Sequence, residues 1–129
     1  VSAVAKRDRY CVDHVYAVHK WWARRPPAVI RALLLAAVLP PGCSTEEFWE
    51  AFGSNGAAPL ADKVVGDPFM GGATTLVEAS RLGADVTGID VDPLAVRVAR
   101  VELAKLDGDL FEAAARIQTP RGFVVFSHF

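Results

Sequence analysis

The chain has 129 residues, of which 52% are hydrophobic and 22% are charged, and its formal net charge is −1. This composition is typical of one globular domain with a core, and it excludes collagen-like and strongly disordered chains. The apolar stretch 28–39 contains Arg31 and is too short to span a bilayer. The stretch also begins too far into the chain, after Trp21 and Trp22, to be the core of a signal peptide. We therefore expect a cytoplasmic protein.

We interpret residues 1–26 as a basic and aromatic arm. Residues 27–62 read as a helical segment and a loop. Pro26-Pro27 begins a helix where a missing N–H is harmless, and Pro40-Pro41-Gly42 ends it. The pattern predicts that its buried face contains Leu33, Leu34, Ala37 and Val38. A shorter helix is predicted from Ser44 or Thr45 to about Ala51.

Residues 63–106 read as a strand, turn, helix, strand and helix. The predicted strands are Lys63–Gly66 and Asp85–Ile89. The predicted helices are Thr74–Leu82, which Gly83 caps, and Pro93 to about Leu106, for which Asp92 is the N-cap. Residues 107–129 are expected to form a helix to about Arg116 and a possible third strand, Gly122–Phe126.

An acid follows each of the two internal strands, and a glycine-bearing turn follows the first. This arrangement suits a nucleoside, because the second acid, Asp90, can accept hydrogen bonds from ribose hydroxyls. A dinucleotide site would need G-x-G-x-x-G for its pyrophosphate, whereas this turn begins with Asp67 and Pro68. A carboxylate repels pyrophosphate and attracts an ammonium group. The residues therefore favour S-adenosylmethionine as cofactor over NAD.

Three segments in this order resemble the DNA methyltransferases that modify exocyclic amino groups of adenine or cytosine. Asp67–Thr75 resembles their Asp-Pro-Phe-x-Gly-Ser/Gly-Gly-Thr-Thr cofactor motif, and Gly88–Pro93 resembles their second cofactor motif. His19–Pro26 is similar to a segment that contacts the methionine end of the cofactor. The resemblance covers about residues 14–106 and implies a Rossmann-like α/β class I methyltransferase fold. One departure is Ala73, where the family usually has glycine; its methyl group is tolerable if the helix has already begun.

The family's catalytic tetrapeptide, Asp/Asn/Ser-Pro-Pro-aromatic, does not occur in this chain. The Pro-Pro pairs are Pro26-Pro27, between Arg25 and Ala28, and Pro40-Pro41, between Leu39 and Gly42. We therefore assign no catalytic residue. The two cysteines, Cys11 and Cys43, have no metal-ligand spacing, and we assign no metal site.

The resemblance gives each cofactor residue an expected role. Asp67 would face the methionine ammonium, and Gly71 and Gly72 would let the ligand approach the backbone, with turn geometry alone as the alternative. Asp90 would hold the ribose, whereas Asp92 is better explained as a helix cap. The full set expected at the cofactor is Asp67, Pro68, Phe69, Gly71, Gly72, Thr74, Thr75, Asp90 and Asp92.

Basic residues crowd into the first quarter of the chain, and a basic arm can follow DNA phosphates even when net charge is near zero. Arg24 and Arg25 would bind a phosphate or the cofactor carboxylate, and Trp21 and Trp22 would stack on a base or cover the cofactor. The alternative is a solvated surface around a buried aromatic pair. The candidate DNA-binding set is His19, Lys20, Trp21, Trp22, Arg24 and Arg25.

These observations favour one partial methyltransferase domain, 1–129, that binds the cofactor without a catalytic loop. A sheet with so few strands has an exposed edge. We therefore expect further polypeptide to complete the sheet, either from the same enzyme or from a second chain. Val1 is compatible with a fragment, a processed product or a non-standard start codon. The alternatives are a non-catalytic cofactor- or DNA-binding subunit and a truncated remnant.

Overall fold

The computed structural model describes residues 1–8, 13–53, 58–107 and 124–128, which form a mixed α/β fold. Its elements, in chain order, are α1 (Ser2–Asp8), α2 (Pro27–Val38), α3 (Thr45–Gly53), β1 (Val64–Asp67), α4 (Thr74–Arg81), β2 (Asp85–Asp90), α5 (Pro93–Asp107) and β3 (Val124–His128).

The described strands form one sheet in the order β1-β2-β3. β1 and β2 are parallel, with Val64 opposite Asp85 and Asp67 opposite Gly88. β3 pairs antiparallel with β2 and confirms the third strand expected near the end of the chain. The helix expected to run to about Arg116 lies outside the described residues. Because β1 and β2 are parallel, their carboxyl ends share one edge of the sheet.

Local signals in the sequence determine where the helices begin. Pro27 occupies the first turn of α2. At the start of α3, the Ser44 hydroxyl accepts from the Glu47 N–H at 3.1 Å, and the Glu47 carboxylate accepts from the Ser44 N–H at 2.7 Å. The Asp92 carboxylate accepts from the Leu94 N–H at 2.8 Å. The predicted starts of these three helices are confirmed.

The core lies around α4, which contacts both parallel strands as well as α2 and α5. Leu76, Val77 and Leu82 are fully buried there, against Leu35 of α2 and Leu103 of α5. The predicted buried face of α2 is wrong in part, because Leu33 is 62% exposed and Ala37 is also exposed. The helix is rotated so that Arg31 faces inward and pairs with Glu78 of α4.

The structure adds two features that the sequence patterns did not indicate. Residues 2–8 of the predicted arm form helix α1, whose terminal Asp8 accepts a hydrogen bond from the Ala28 N–H at 3.0 Å. Ala73 precedes α4, which begins at Thr74 as predicted, and it lies in the left-handed region, at φ 57°. Glycine is favoured in that region because a Cβ atom crowds the backbone there. Ala73 thus has a backbone conformation that glycine adopts more easily, and the family that the sequence resembles usually has glycine at this position.

Candidate functional site

The two acids that end the parallel strands lie at one edge of the sheet. Asp67 is the last residue of β1, and Asp90 is the last residue of β2. The turn 68–73 joins β1 to α4 across this edge, and it contains Gly71 at φ 48°. The sheet register therefore brings together the residues that the sequence predicted at the cofactor.

Asp90 ties the second strand to this turn. One carboxylate oxygen accepts from the Gly71 N–H at 2.8 Å, and the other accepts from the Asp92 N–H at 2.9 Å. The Met70 N–H also donates to the Ile89 carbonyl at 3.2 Å. A carboxylate has about four lone-pair sites, so two protein hydrogen bonds leave capacity for two ligand hydroxyls.

The other residues at this edge of the sheet differ in their hydrogen bonds and in their exposure to solvent. Asp67 accepts from the Phe69 N–H at 3.0 Å, and its second oxygen, Oδ2, makes no hydrogen bond within the described residues. Phe69 is 87% exposed and Pro68 is also exposed. Asp92 is an exposed helix cap, as the sequence favoured. Apolar side chains are thus exposed beside two carboxylates, an arrangement that suits a ligand with both a ring and a charged group.

The structure gives the two glycines a further reason to lack side chains. A Cβ atom added at Gly72 would lie 2.8 Å from the Trp21 Cγ, and one added at Gly71 would lie 3.3 Å from the Trp21 Nε1. The Trp21 indole therefore packs directly on the turn. Close approach of this indole explains the absence of a side chain at Gly72, and the positive φ of Gly71 favours glycine there as well.

Helix α4 begins at the turn without a side-chain cap. Its N-cap is Ala73, which has no side-chain hydrogen-bonding group, and Thr74 and Thr75 form the first turn. Thr74 is buried and Thr75 is half-buried. The first N–H groups of a helix lack intrahelical partners and carry partial positive charge. This end of α4 is therefore suited to a carboxylate or another negatively charged ligand group.

Arg24 occupies a different place from the one that the sequence predicted. Its guanidinium bonds Glu102 twice, at 2.6 and 3.1 Å, and also donates to the Gly72 carbonyl. The two side chains are 14% and 0% exposed. Because these donors already bond protein oxygens, they support the fold at this position.

The other residues of the predicted DNA-binding set lie on the surface. Trp22 is 88% exposed, and the Lys20 ammonium lies 4.7 Å from its ring centroid. His19, Lys20 and Arg25 are exposed as well. The interpretation of Trp21 and Trp22 as a buried aromatic pair is wrong, since Trp21 covers the glycine turn and Trp22 faces solvent.

Sequence reasoning missed a buried polar cluster on the other side of α4. Glu78, 2% exposed, accepts from the Tyr16 hydroxyl, from Arg31 at 2.8 Å and from Arg81 at 3.0 Å. Arg81 also bonds Asp13 at 2.7 Å. One signal for this cluster was available in the sequence. The predicted helices carry charges of opposite sign, Arg31 in α2 and Glu78 in α4, and a buried charge needs a partner.

Burial and charge shift three pKa values in this cluster. Burial and the Glu78 carboxylate raise the pKa of Tyr16 well above its usual range, so Tyr16 remains a hydrogen-bond donor. Burial alone would lower the pKa of Arg81, but Glu78 and Asp13 outweigh it and raise that pKa. Partial burial likewise would raise the pKa of Asp13, but hydrogen bonds from Val15 and Arg81 lower it overall.

A cavity of about 250 Å³ lies beside this cluster. Within the described residues, its charged groups other than Arg7 bond protein atoms, which favours a structural role for the cluster. The lining residues are Val4, Arg7, Asp8, Asp13, Tyr16, Arg24, Pro27, Ala28, Arg31, Phe52, Glu78 and Arg81.

Within the described ranges, no helix combines the length and the apolar character that crossing a membrane requires. In that same part of the chain, His, Cys, Asp and Glu side chains do not group into a set that could hold a metal ion.

Comparison with known proteins gives partial matches. Residues 1–55 match a family described as a protein of unknown function, DUF1156. The chain is 43% identical over 44 residues to the type II methyltransferase M.MjaII of Methanocaldococcus jannaschii, a match that covers 34% of this chain and 8% of that relative. No solved structure matches. These matches show a similarity of about a third of the chain to a small part of a type II methyltransferase.

Proposed function

We propose that this chain is the cofactor-binding portion of an S-adenosylmethionine-dependent DNA methyltransferase that acts on an exocyclic amino group of adenine or cytosine. The observation that carries the proposal is the Asp90 carboxylate bonded to the Gly71 N–H, which brings an acid of β2 against the glycine turn after β1. The partial similarity to a type II methyltransferase supports the same assignment. A Rossmann-like class I fold is part of this proposal.

The residues present fit the chemical groups of this cofactor. Asp90 would accept from the ribose hydroxyls, and the free Oδ2 of Asp67 would accept from the methionine ammonium. The uncapped start of α4, with Thr74 and Thr75, would face the methionine carboxylate. The exposed side chains of Pro68 and Phe69 would lie along the apolar parts of the ligand. When bound, the cofactor supplies an electrophilic methyl group on sulfonium.

DNA is the proposed substrate, and exposed residues of the N-terminal segment are its proposed contacts. Lys20, Arg25 and His19 would follow phosphates, and Trp22 would stack on an unpaired base. A binding contact of Asp92 with the ligand is a weaker expectation, because its carboxylate caps α5.

Further polypeptide is proposed to complete the enzyme. Among the described strands β1 pairs on one side only, and Val64 at its start is 70% exposed. A catalytic Asp/Asn/Ser-Pro-Pro-aromatic sequence would come from that additional segment, because this chain contains none. A non-catalytic subunit and a truncated remnant are the alternatives, and the neighbouring reading frame distinguishes them from a split enzyme.

Two measurements test the proposal. Calorimetry should detect S-adenosylhomocysteine binding that is tighter than NAD binding; tighter binding of NAD would overturn the assignment. The purified chain should transfer no label from S-adenosylmethionine to mixed-sequence duplex DNA, because nothing here holds the target amino group. Transfer that occurs only after addition of the neighbouring gene product would identify a two-part enzyme.

A further inference from the structure

Arg24 connects three separate parts of the chain. It follows Trp21 in the N-terminal segment, bonds Glu102 on α5 through both terminal nitrogens, and donates to the Gly72 carbonyl in the cofactor turn. Its guanidinium also lies 4.8 Å from the Tyr16 ring centroid. A planar fork with several donors can make all these contacts in one fixed orientation.

The bond to Gly72 fixes a particular peptide group. The Gly72 carbonyl and the Ala73 N–H belong to the same peptide, and that N–H donates to the Met70 carbonyl at 2.7 Å. Both polar ends of this peptide are therefore bonded. Because a peptide group is planar, these two bonds determine its orientation immediately before α4 begins. The next residue, Ala73, has the left-handed conformation that turns the chain into the helix.

Arg24 also holds Trp21 in place. The Arg24 N–H lies 3.3 Å from the Trp21 carbonyl, which closes a short turn between the two residues. The Trp21 indole then packs on Gly71 and Gly72 from outside. The Arg24 side chain thus bonds the turn directly, and the short backbone turn that contains Arg24 places the Trp21 indole over the same turn.

We infer that Arg24, oriented by Glu102, is a positioning residue for the cofactor turn. This inference rests on the proposed function, and it assigns to Glu102 a role that no motif indicated. Preorganised sites hold their ligand groups through supporting contacts such as this one. Loss of the Gly72 bond would remove one of the two hydrogen bonds that orient this peptide before α4, and ligand affinity would fall even if the fold survived.

The test separates positioning from simple stability. Removal of one partner of a buried ion pair is strongly destabilising, whereas replacement of both partners by apolar residues is often tolerated. The informative variant is therefore the double substitution Arg24→Met with Glu102→Leu. We expect at least tenfold weaker binding of S-adenosylhomocysteine in calorimetry, and at least tenfold faster amide exchange at Ala73 without ligand. Wild-type affinity and Ala73 exchange in the folded double variant would overturn the inference.

Two more variants complete the design. Arg31→Met removes another buried arginine, 12% exposed, that bonds Glu78 and not the turn. It should lower stability without a change in affinity or in Ala73 exchange. Arg24→Lys keeps the charge, but its single nitrogen cannot occupy the positions of both guanidinium nitrogens, which bond Glu102 and Gly72. This variant decides the question if the double variant does not fold, because it should weaken binding and speed Ala73 exchange in the same way. If the wild-type chain fails to bind the nucleoside, the proposed function fails, and the exchange measurement still tests Arg24.

Discussion

The carboxylate of Asp90 accepts a hydrogen bond from the Gly71 N–H at 2.8 Å, across a sequence separation of 19 residues. This bond joins the end of β2 to the turn that follows β1. It places the predicted ribose-binding acid beside the predicted glycine turn, and it shows that the same carboxylate supports the protein backbone.

Substitution of Asp90 should therefore affect both binding and the turn. We expect Asp90→Ala to weaken S-adenosylhomocysteine binding at least tenfold, which is about 1.4 kcal/mol, because hydrogen bonds to a charged group are lost. Asp92→Ala should instead lower the free energy of unfolding by about 1 kcal/mol through loss of a helix cap, with a smaller effect on affinity. Calorimetry and urea unfolding distinguish the two. The reverse pattern would show that the ligand contact has been placed on the wrong acid.

Gly72→Ala should destabilise the protein by about 1–3 kcal/mol, because the new methyl group would overpack against Trp21. The added Cβ atom would lie 2.8 Å from the indole, whereas at Gly66 the nearest atom, the Thr87 Cγ2, would be at an ordinary 3.5 Å. Gly66→Ala is thus the matched control in urea unfolding. The penalty at Gly72 should shrink in a Trp21→Ala background; an unchanged penalty would point to backbone strain instead.

Glu78→Ala should be among the most destabilising single substitutions. It would leave the partly buried Arg31 and Arg81 without their shared carboxylate and the Tyr16 hydroxyl without its acceptor, a change that costs about 3 kcal/mol. Thermal or urea unfolding measures the loss. Glu50→Ala, on the exposed surface of α3, serves as control and should change stability by less than about 0.5 kcal/mol. Equal effects of the two substitutions would contradict the buried cluster.

Asp13 should make part of the stability sensitive to acid. Hydrogen bonds from Val15 and Arg81 lower its pKa in the folded state despite partial burial. The folded state therefore binds the proton less readily than the unfolded state, whose carboxyl titrates near about pH 4. The resulting stability is present above that pH and is lost as pH falls through the lowered pKa.

Urea unfolding from pH 7 to pH 2 checks this linkage. Asp13→Asn should be less stable than the native chain at pH 7, and the difference should diminish below about pH 4. Asp62→Asn, at an exposed turn position, controls for the change in net charge. A stability difference that stays constant over this range would show that Asp13 acts through packing alone.

Local chemistry explains why much of the fold was predictable. Helix starts at Pro27, at Ser44 with Glu47, and at Asp92 depend on side chains within a few residues, so their patterns identify them directly. The parallel strands follow from β-branched runs that alternate with a helix. The acids at their ends could be expected to meet, because parallel strands end at the same edge of a sheet.

The features that the sequence did not reveal are contacts between distant residues. The ion pair that buries Arg31 depends on Glu78, which is 47 residues away, so no pattern within α2 identifies that partner. The bond between Arg24 and Glu102 joins residues that are 78 positions apart in the sequence, so it depends on how α5 packs and not on any local pattern. Neighbouring Trp21 and Trp22 have the same chemistry, yet the Gly71-Gly72 turn covers only one of them.

The sequence by itself determined the elements from α2 to α5, the strand-end acids and the glycine turn, because each depends on short-range backbone preferences and hydrogen bonds. Only the tertiary structure decided which charged groups are buried together. A buried ion pair forms where two surfaces meet, and its energy depends on desolvation and on the distance between partners that no local pattern encodes. That is why Arg24, predicted to contact a ligand, lies instead between Glu102 and the Gly72 carbonyl.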